Sequence, residues 1–295
     1  MKLYSSYLPI ERYERELGCL EKYKNKSITL FNDYVPRDAS EYSDVNLIVL
    51  NEPNELFGLH SFVKNNYNAF SAVLSWDEEI LGDTPNYSLF LHGETNLDID
   101  YINTFETNPE REFGVTFLSG ILEILEGHKL RQRIFDMGDE MLIQIPNTWW
   151  RVLDDFDQER GQRPGYFETK IGPNGNPIEG DGKKQVWNTH KMFHVAVENS
   201  KHKHYFTDKI LDCFGTKTLP IYWGAPNMGD WYDERGVIYF NDENELVEII
   251  NKLTPEDYYS RLPYIENNYR LVKEQGFFFK RLEKYLDTLI ELNNL

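Results

Sequence analysis

The stretch that most limits how this chain can fold is residues 192–231, MFHVAVENSKHKHYFTDKILDCFGTKTLPIYWGAPNMGDW. Residues 192–197 form an apolar run rich in β-formers, and Glu198-Asn199-Ser200 breaks it. After a short basic loop the pattern restarts at Thr207, with Ile210, Leu211 and Phe214 on one face of a helix that Gly215 ends. A second strand, residues 219–223, stops at Gly224-Ala225-Pro226-Asn227. Strand, loop, helix and strand in that order make a βαβ unit with its polar residues gathered at the strand ends. Open α/β sheets bind ligands beyond the carboxyl ends of their strands. The Glu-Asn-Ser loop, the helix start and the Gly-Ala-Pro-Asn loop would all lie on that edge.

Both sides of this unit extend the same alternation. Before it, strands are expected at 27–31, 45–50, 70–75 and 87–91, with helices at 13–23 and 56–65. Asn, Asp, Pro and Gly separate them, which predicts a small α/β layer with a largely parallel sheet. The polar, aperiodic segment 103–112 (NTFETNPERE) marks a domain boundary. Strands at 113–118 and 141–145 then flank a helix at 129–137. The Gly- and Pro-rich segment 157–185 reads as a long loop or flap over a site, or as a disordered surface insertion. A strand at 236–240 and helices at 243–252, 254–261 and 277–292 complete the chain, with Thr254-Pro255 as an N-cap followed by Pro at the first helical position. The expected parts are an N-terminal α/β domain over 1–108, a C-terminal α/β domain over 109–275, and a helix over 276–295 that packs back on the first domain. Two Rossmann-like domains facing a cleft are the architecture of GT-B glycosyltransferases, a likeness of fold that carries no chemistry by itself.

A net charge of −18 argues against nucleic acid or an anionic membrane as partner. A local basic pocket could still hold a small anion. Cys19 and Cys213 are too few for a disulfide framework, and Cys213 falls on the apolar side of a helix as a buried thiol. No apolar run reaches ~18 residues, so no transmembrane span is expected. The first residues lack the apolar core of a signal peptide. Together these predict a cytoplasmic protein.

The helix beginning at Thr207 offers backbone N–H groups without intrahelical partners and the positive end of its dipole. Thr207 suits the N-cap, Asp208 the first turn, and Lys209 adds an ammonium. A diphosphate placed there would meet all of these. The same features also describe an ordinary capped helix behind a solvated basic loop, Lys201-His202-Lys203-His204. Glu198, Asn199 and Ser200 can bond the hydroxyls of a ribose or sugar, or cap a loop. Tyr205 can stack on a ligand or pack. Gly224 can admit a ligand close to the backbone, or simply make a turn. Arg131, at the start of a helix, suits a bidentate phosphate contact, whereas Lys129 and Arg133 read as a solvated face. Asp98-Ile99-Asp100 matches the DxD of metal-dependent transferases, a cheap pattern in a chain with 49 acidic residues. His190 and His194 have the spacing of a helical zinc pair, but His194 falls in an expected strand.

The block resembles the C-terminal domain of glycosyltransferase family 10, the α-1,3/4-fucosyltransferases. That family's pattern is close to F-x-x-x-x-E-N-S, then Y-x-T-E-K-[IL], then P-[IV]-x-W-G-[AS]-P. Here stand Phe193, Glu198-Asn199-Ser200, Tyr205-Phe206-Thr207-Asp208-Lys209-Ile210 and Pro220-Ile221-Tyr222-Trp223-Gly224-Ala225-Pro226. The resemblance implies that Asn199, Tyr205, Asp208 and Lys209 contact the ribose and diphosphate of GDP-fucose, with Arg131 on the phosphates. Asp208 stands where the family has Glu, an arm shorter by about one C–C bond, ~1.5 Å. The implied reaction is an inverting, metal-independent transfer of fucose from GDP-fucose to a glycan hydroxyl, with no further cofactor. Lys209 and Arg131 would stabilise the departing diphosphate. Glu94, after the strand at 87–91, is the first candidate for the general base, and Glu52 and Asp77 are similar strand-end carboxylates. Rhamnose, another deoxyhexose or xylose as donor sugar, or a non-catalytic nucleotide-sugar-binding module, are the alternatives.

Overall fold

The structure is a computed structural model that describes residues 1–5, 17–107, 109–120, 122–137, 147–151, 166–168 and 184–293. Its contacts divide the chain into two compact units. Unit 1 holds Met1–Glu94, His202–Tyr205 and Gln275–Leu295; unit 2 holds Thr95–Lys201 and Phe206–Glu274. Residues 95–107, which the sequence pattern puts in the first half, thus cluster with the second.

Unit 1 is built on five parallel strands in the order β1 (Lys2–Ser5), β2 (Ile28–Asn32), β3 (Val45–Leu50), β4 (Ala72–Ser75) and β5 (Tyr87–Leu89). Side chains alternate across a strand, so each sheet face gathers its own core. Val45, Leu47 and Val49 of β3 join Ile28, Leu30 and Leu74 on one face. Ile48 and Leu50 join Phe31, Val73, Val63 and Leu81 on the other. The first face is covered by the C-terminal helix, Phe278–Asn293, through Phe278, Phe279, Leu282 and Leu286. Those positions recur at the three- and four-residue spacing of an apolar helix stripe. Tyr23 donates to Asp287 Oδ1 at 2.5 Å and Lys22 to Asp287 Oδ2 at 2.8 Å, pinning the same helix at its edge.

Unit 2 carries a six-stranded sheet in the order β11-β10-β9-β6-β7-β8, with every described pairing parallel. The strands are β6 (Glu112–Ser119), β7 (Asn147–Arg151), β8 (Tyr166–Glu168), β9 (Lys191–Val197), β10 (Leu219–Trp223) and β11 (Ile238–Tyr239). From β6 the chain winds outward through β7 and β8, then returns to pair β9 against β6 and winds the other way. This is the doubly wound order, and β6 and β9 are its switch point. A sheet of this kind is covered on both faces, and its central strands are largely apolar. Val115, Phe117, Phe193, Val195, Leu219 and Ile221 share one core with Leu130, Ile134, Leu246 and Ile250 from the flanking helices.

Several expectations are corrected. The helix expected at 56–65 is two pieces, Asn54–Phe57 and Leu59–Asn65, because Gly58 sits at φ +66°, a left-handed conformation that ends the first. The described part of 13–23 is a 3-10 helix, Leu17–Tyr23. Strand β1, strand β7 and the helix Leu262–Gln275 have no counterpart in the sequence reading. The helix carries Asn267-Asn268 midway, two residues of low helix propensity that weaken its signal. The expected strand 141–145 lies outside the described residues. So does the expected flap 157–185, apart from β8 and the start of the helix Lys184–Trp187.

Candidate functional site

At the carboxyl end of β9 the chain turns through Glu198, whose side chain is fully buried. Its Oε1 accepts the Thr207 backbone N–H at 2.8 Å and its Oε2 the Thr207 hydroxyl at 2.7 Å. Lys209 Nζ lies 3.5 Å from Oε2. Burial pushes the Glu198 carboxyl above the usual carboxylate range, while the Lys209 charge and the Thr207 hydrogen bonds pull it back. Glu198 was expected as a ligand contact. In the structure both carboxylate oxygens accept hydrogen bonds from Thr207 and join the end of β9 to the start of the helix Asp208–Gly215.

The turn after β10 closes on the same carboxylate. A Cβ on Gly224 would sit 2.6 Å from Glu198 Cγ and 2.2 Å from the Tyr222 hydroxyl. That hydroxyl accepts the Ala225 N–H at 3.0 Å and lies 3.5 Å from Glu198 Oε1. Gly224 therefore has no room for a side chain, because the Tyr222 hydroxyl and Glu198 already occupy that space.

A second helix closes on the Glu-Asn-Ser loop. Glu126–Asp136 begins against it, with Gly127 N–H donating to the Asn199 carbonyl at 3.0 Å. A Cβ on Gly127 would fall 1.7 Å from the Glu198 carbonyl oxygen, so only glycine fits. One turn on, Arg131 is buried and donates to the Val197 carbonyl at 2.6 Å and to Asn199 Oδ1 at 2.9 Å. His128 Nδ1 accepts the Leu125 N–H at 3.0 Å, and burial together with the Arg131 charge lowers its pKa to about 4. Lys129 and Arg133 are exposed, and Arg133 pairs with Glu243 at 2.8 Å.

Between these elements is a cavity of about 280 Å³ lined by Leu118, Gly120, Arg131, Val197, Asp208 and Lys209, among others. It lies at the carboxyl ends of β6 and β9, the switch point of the sheet, where ligand crevices form. Arg131, Asp208 and Lys209 of the expected site meet here. Thr207 caps the helix, accepting the Lys209 N–H at 3.4 Å and the Lys209 ammonium at 3.0 Å. Asn199 is half-buried and reaches the cavity's edge through Arg131. Ser200 is buried in the same loop.

Two residues were missed. Asn96 donates to Asp208 Oδ2 at 2.5 Å, and Asp212, which lines the cavity, accepts from the Asn96 N–H at 2.9 Å and the Thr95 hydroxyl at 2.7 Å. The four-residue spacing of Asp208 and Asp212 on one helix was the available signal. Tyr205 belongs to unit 1, fully buried against Trp76 at 4.9 Å between ring centroids. Glu94 also belongs to unit 1, half-buried, and Arg281 donates to the Leu91 and Gly93 carbonyls just before it at 3.1 and 2.6 Å. Asp98 caps the helix Ile99–Asn103 by accepting the Tyr101 N–H at 2.7 Å, a local role for the DxD-like pair. His194 Nδ1 is 2.8 Å from the Thr116 hydroxyl inside the sheet, and His190 turns at φ +51°.

A family profile described as glycosyltransferase family 10 (fucosyltransferase), C-term, matches residues 170–275. The matched family is glycosyltransferase family 10. The family 10 match takes in the Glu-Asn-Ser loop, the helix Asp208–Gly215 and the Gly-Ala-Pro turn. Among curated proteins, an alpha-(1,3)-fucosyltransferase of Helicobacter pylori is 26% identical over 108 residues, 34% of this chain and 22% of that one. Alpha-(1,3)-fucosyltransferase B of Drosophila melanogaster is 24% identical over 170 residues, 55% of this chain and 35% of that one. The chain thus spans about a fifth to a third of these relatives' length. A crystal structure of an alpha1,3-fucosyltransferase with GDP-fucose superposes with a TM-score of 0.54 at 15% identity, over 98% of this chain and 89% of that one. At that identity the likeness is one of fold, the GT-B arrangement of two parallel α/β sheets. Among the described residues, no helix is long and apolar enough to cross a membrane.

Proposed function

We propose that this chain is an inverting glycosyltransferase that moves fucose from GDP-fucose to a glycan hydroxyl. The carrying observation is that one cavity at the sheet's switch point collects Arg131, Asp208, Lys209 and the start of a helix. A nucleoside diphosphate there would take the helix N–H groups and Lys209 on its phosphates, and Asp208 on its ribose. Arg131 acts in two ways: it holds Asn199 and Val197 in place and brings a guanidinium to the cavity wall. As the bond to the sugar breaks, charge develops on the diphosphate, and these fixed groups stabilise it without reorganising. A carboxylate takes the proton from the acceptor hydroxyl, and Glu94 is the group we assign to this step. The reaction as proposed needs no metal.

Calorimetry with GDP, UDP and dTDP tests the donor class directly: GDP should bind and the others should not. Lys209→Ala should weaken GDP by about tenfold or more, the size of one hydrogen bond to a charged group. Unchanged affinity would remove Lys209 from the phosphate role. Product mass with a panel of GDP-sugars identifies the sugar. Glu94→Gln should abolish transfer while GDP affinity stays, and activity that persists in EDTA is the expected result for a metal-free mechanism.

A further inference from the structure

We propose that Asn96 is a positioning residue for the donor's ribose, acting through Asp208; this rests on the reading of Asp208 as a ribose contact. The starting observation is that residues 95–107, expected in the N-terminal domain, belong to unit 2. This segment runs along the helix Asp208–Gly215. At the far end of that helix, a Cβ on Gly215 would lie 3.3 Å from Ile102 Cδ1 and 3.7 Å from Leu97 Cδ1. Leu97 and Ile102 are both buried, so apolar packing fixes the segment there. At the near end, Thr95 and Asn96 meet Asp208 and Asp212, the two carboxylates of this helix that line the cavity.

Three donors from one dipeptide serve these two acids. Asn96 Nδ2 donates to Asp208 Oδ2 at 2.5 Å. The Asn96 backbone N–H donates to Asp212 Oδ1 at 2.9 Å, and the Thr95 hydroxyl to the same oxygen at 2.7 Å. That hydroxyl in turn accepts the Leu97 N–H at 3.1 Å, which orients it.

Electrostatics gives this clamp its purpose. Asp208 and Asp212 stand one helical turn apart, where like charges repel. A diphosphate at the helix start would add negative charge beside them. The Asp208 side chain is 20% exposed, so repulsion would turn it toward solvent unless something held it. Asn96 does so with a neutral donor on Oδ2, while Oδ1 lies 3.8 Å from Lys209 Nζ. Carboxylate oxygens accept more than one hydrogen bond, so the anchored group can still take a ribose hydroxyl. The arm is shorter than the Glu of the family pattern, and its reach therefore depends on where it is held. Recognition of the ribose should then depend on an asparagine 112 residues before the motif's acid.

The test uses the full chain and GDP or UDP, whichever the wild type binds, beside the dideoxy form of the same nucleotide, which lacks both ribose hydroxyls. Calorimetry gives the ratio of the two affinities. A site built to bond a hydroxyl rejects the analogue without it, so the wild type should favour the ribonucleotide by about tenfold or more. Asn96→Ala and the isosteric Asn96→Asp, which removes the amide donor, should each bind the ribonucleotide about tenfold more weakly and the dideoxy form within about twofold of wild type. In an Asp208→Ala background, Asn96→Ala should change neither affinity by more than about twofold, since both residues act on one contact. In turnover the loss should fall on the donor KM. Circular dichroism and thermal melts confirm folding, and should Asn96→Ala not fold, Asn96→Asp decides by the same criterion. A folded Asn96 variant that keeps the wild-type ratio overturns the proposal, whether both affinities hold or both fall together. So does a loss that adds in full to that of Asp208→Ala. A wild type that binds both forms alike, or Asp208→Ala with an unchanged ratio, overturns the ribose reading of Asp208 and this inference with it. A wild type that binds neither nucleotide overturns the donor-site reading as a whole.

Discussion

At the scale of single residues, Glu198 is the joint of the site. One buried carboxylate receives the loop, the helix cap and the ammonium of Lys209. Glu198→Ala should destabilise the protein by about 2–4 kcal/mol, since it strands two buried donors and a cation; a thermal melt measures it. Gly127→Ala should be as damaging to the site as to stability, because its Cβ would overlap the Glu198 carbonyl. We expect overpacking of about 1–3 kcal/mol and weaker nucleotide binding measured by calorimetry. Asp33, at the end of β2, illustrates a different buried carboxylate. Burial raises its pKa to about 7, against hydrogen bonds from the Asn51 and Glu52 N–H groups. The shift is upward, so the stabilising contribution is complete below the ordinary Asp pKa of ~3.9 and is lost as pH rises through about 7. Stability measured by denaturant between pH 5 and 8 should fall through this group, and Asp33→Asn should flatten that slope.

The elements differ in how openly their residues announce them. Strand β3 falls where its apolar run predicts, and the helix Glu243–Lys252 falls where its helical period and cap predict; Asp242 accepts from both Asn244 and Glu245. The C-terminal helix is equally plain, and its packing makes a firm prediction. Leu282 is fully buried against the unit 1 sheet, so Leu282→Ala should cost about 2–5 kcal/mol, read from the denaturant midpoint. Arg281 on the same helix braces the carbonyls before Glu94. Arg281→Ala should lower kcat with little change in nucleotide affinity, if Glu94 is the base. Strands β1 and β7 are short, and their sequences KLYS and NTWWR have no alternation to read. Their strand character comes from a neighbour to pair with.

Over the whole molecule, the two sheets and their winding determine where chemistry can occur. The switch point between β6 and β9 depends on the return of the chain after β8, a long-range event with no local trace. The apolar runs, the caps and the turn residues were enough to place a βαβ unit with Glu198, Asn199, Asp208 and Lys209 near its strand ends, while the roles expected of Asn199, Asp208, Lys209 and Arg131 came from the family resemblance. The placement of the unit is a local property, set by period, propensity and the free N–H groups at a helix start. Only the tertiary structure decided that Glu198 faces inward, that Asn96 holds Asp208, and that Tyr205 is seated on Trp76. The last two join residues more than a hundred apart in the chain, and which groups share a buried pocket is settled by packing, where a polar atom must find its partner or forfeit its hydration.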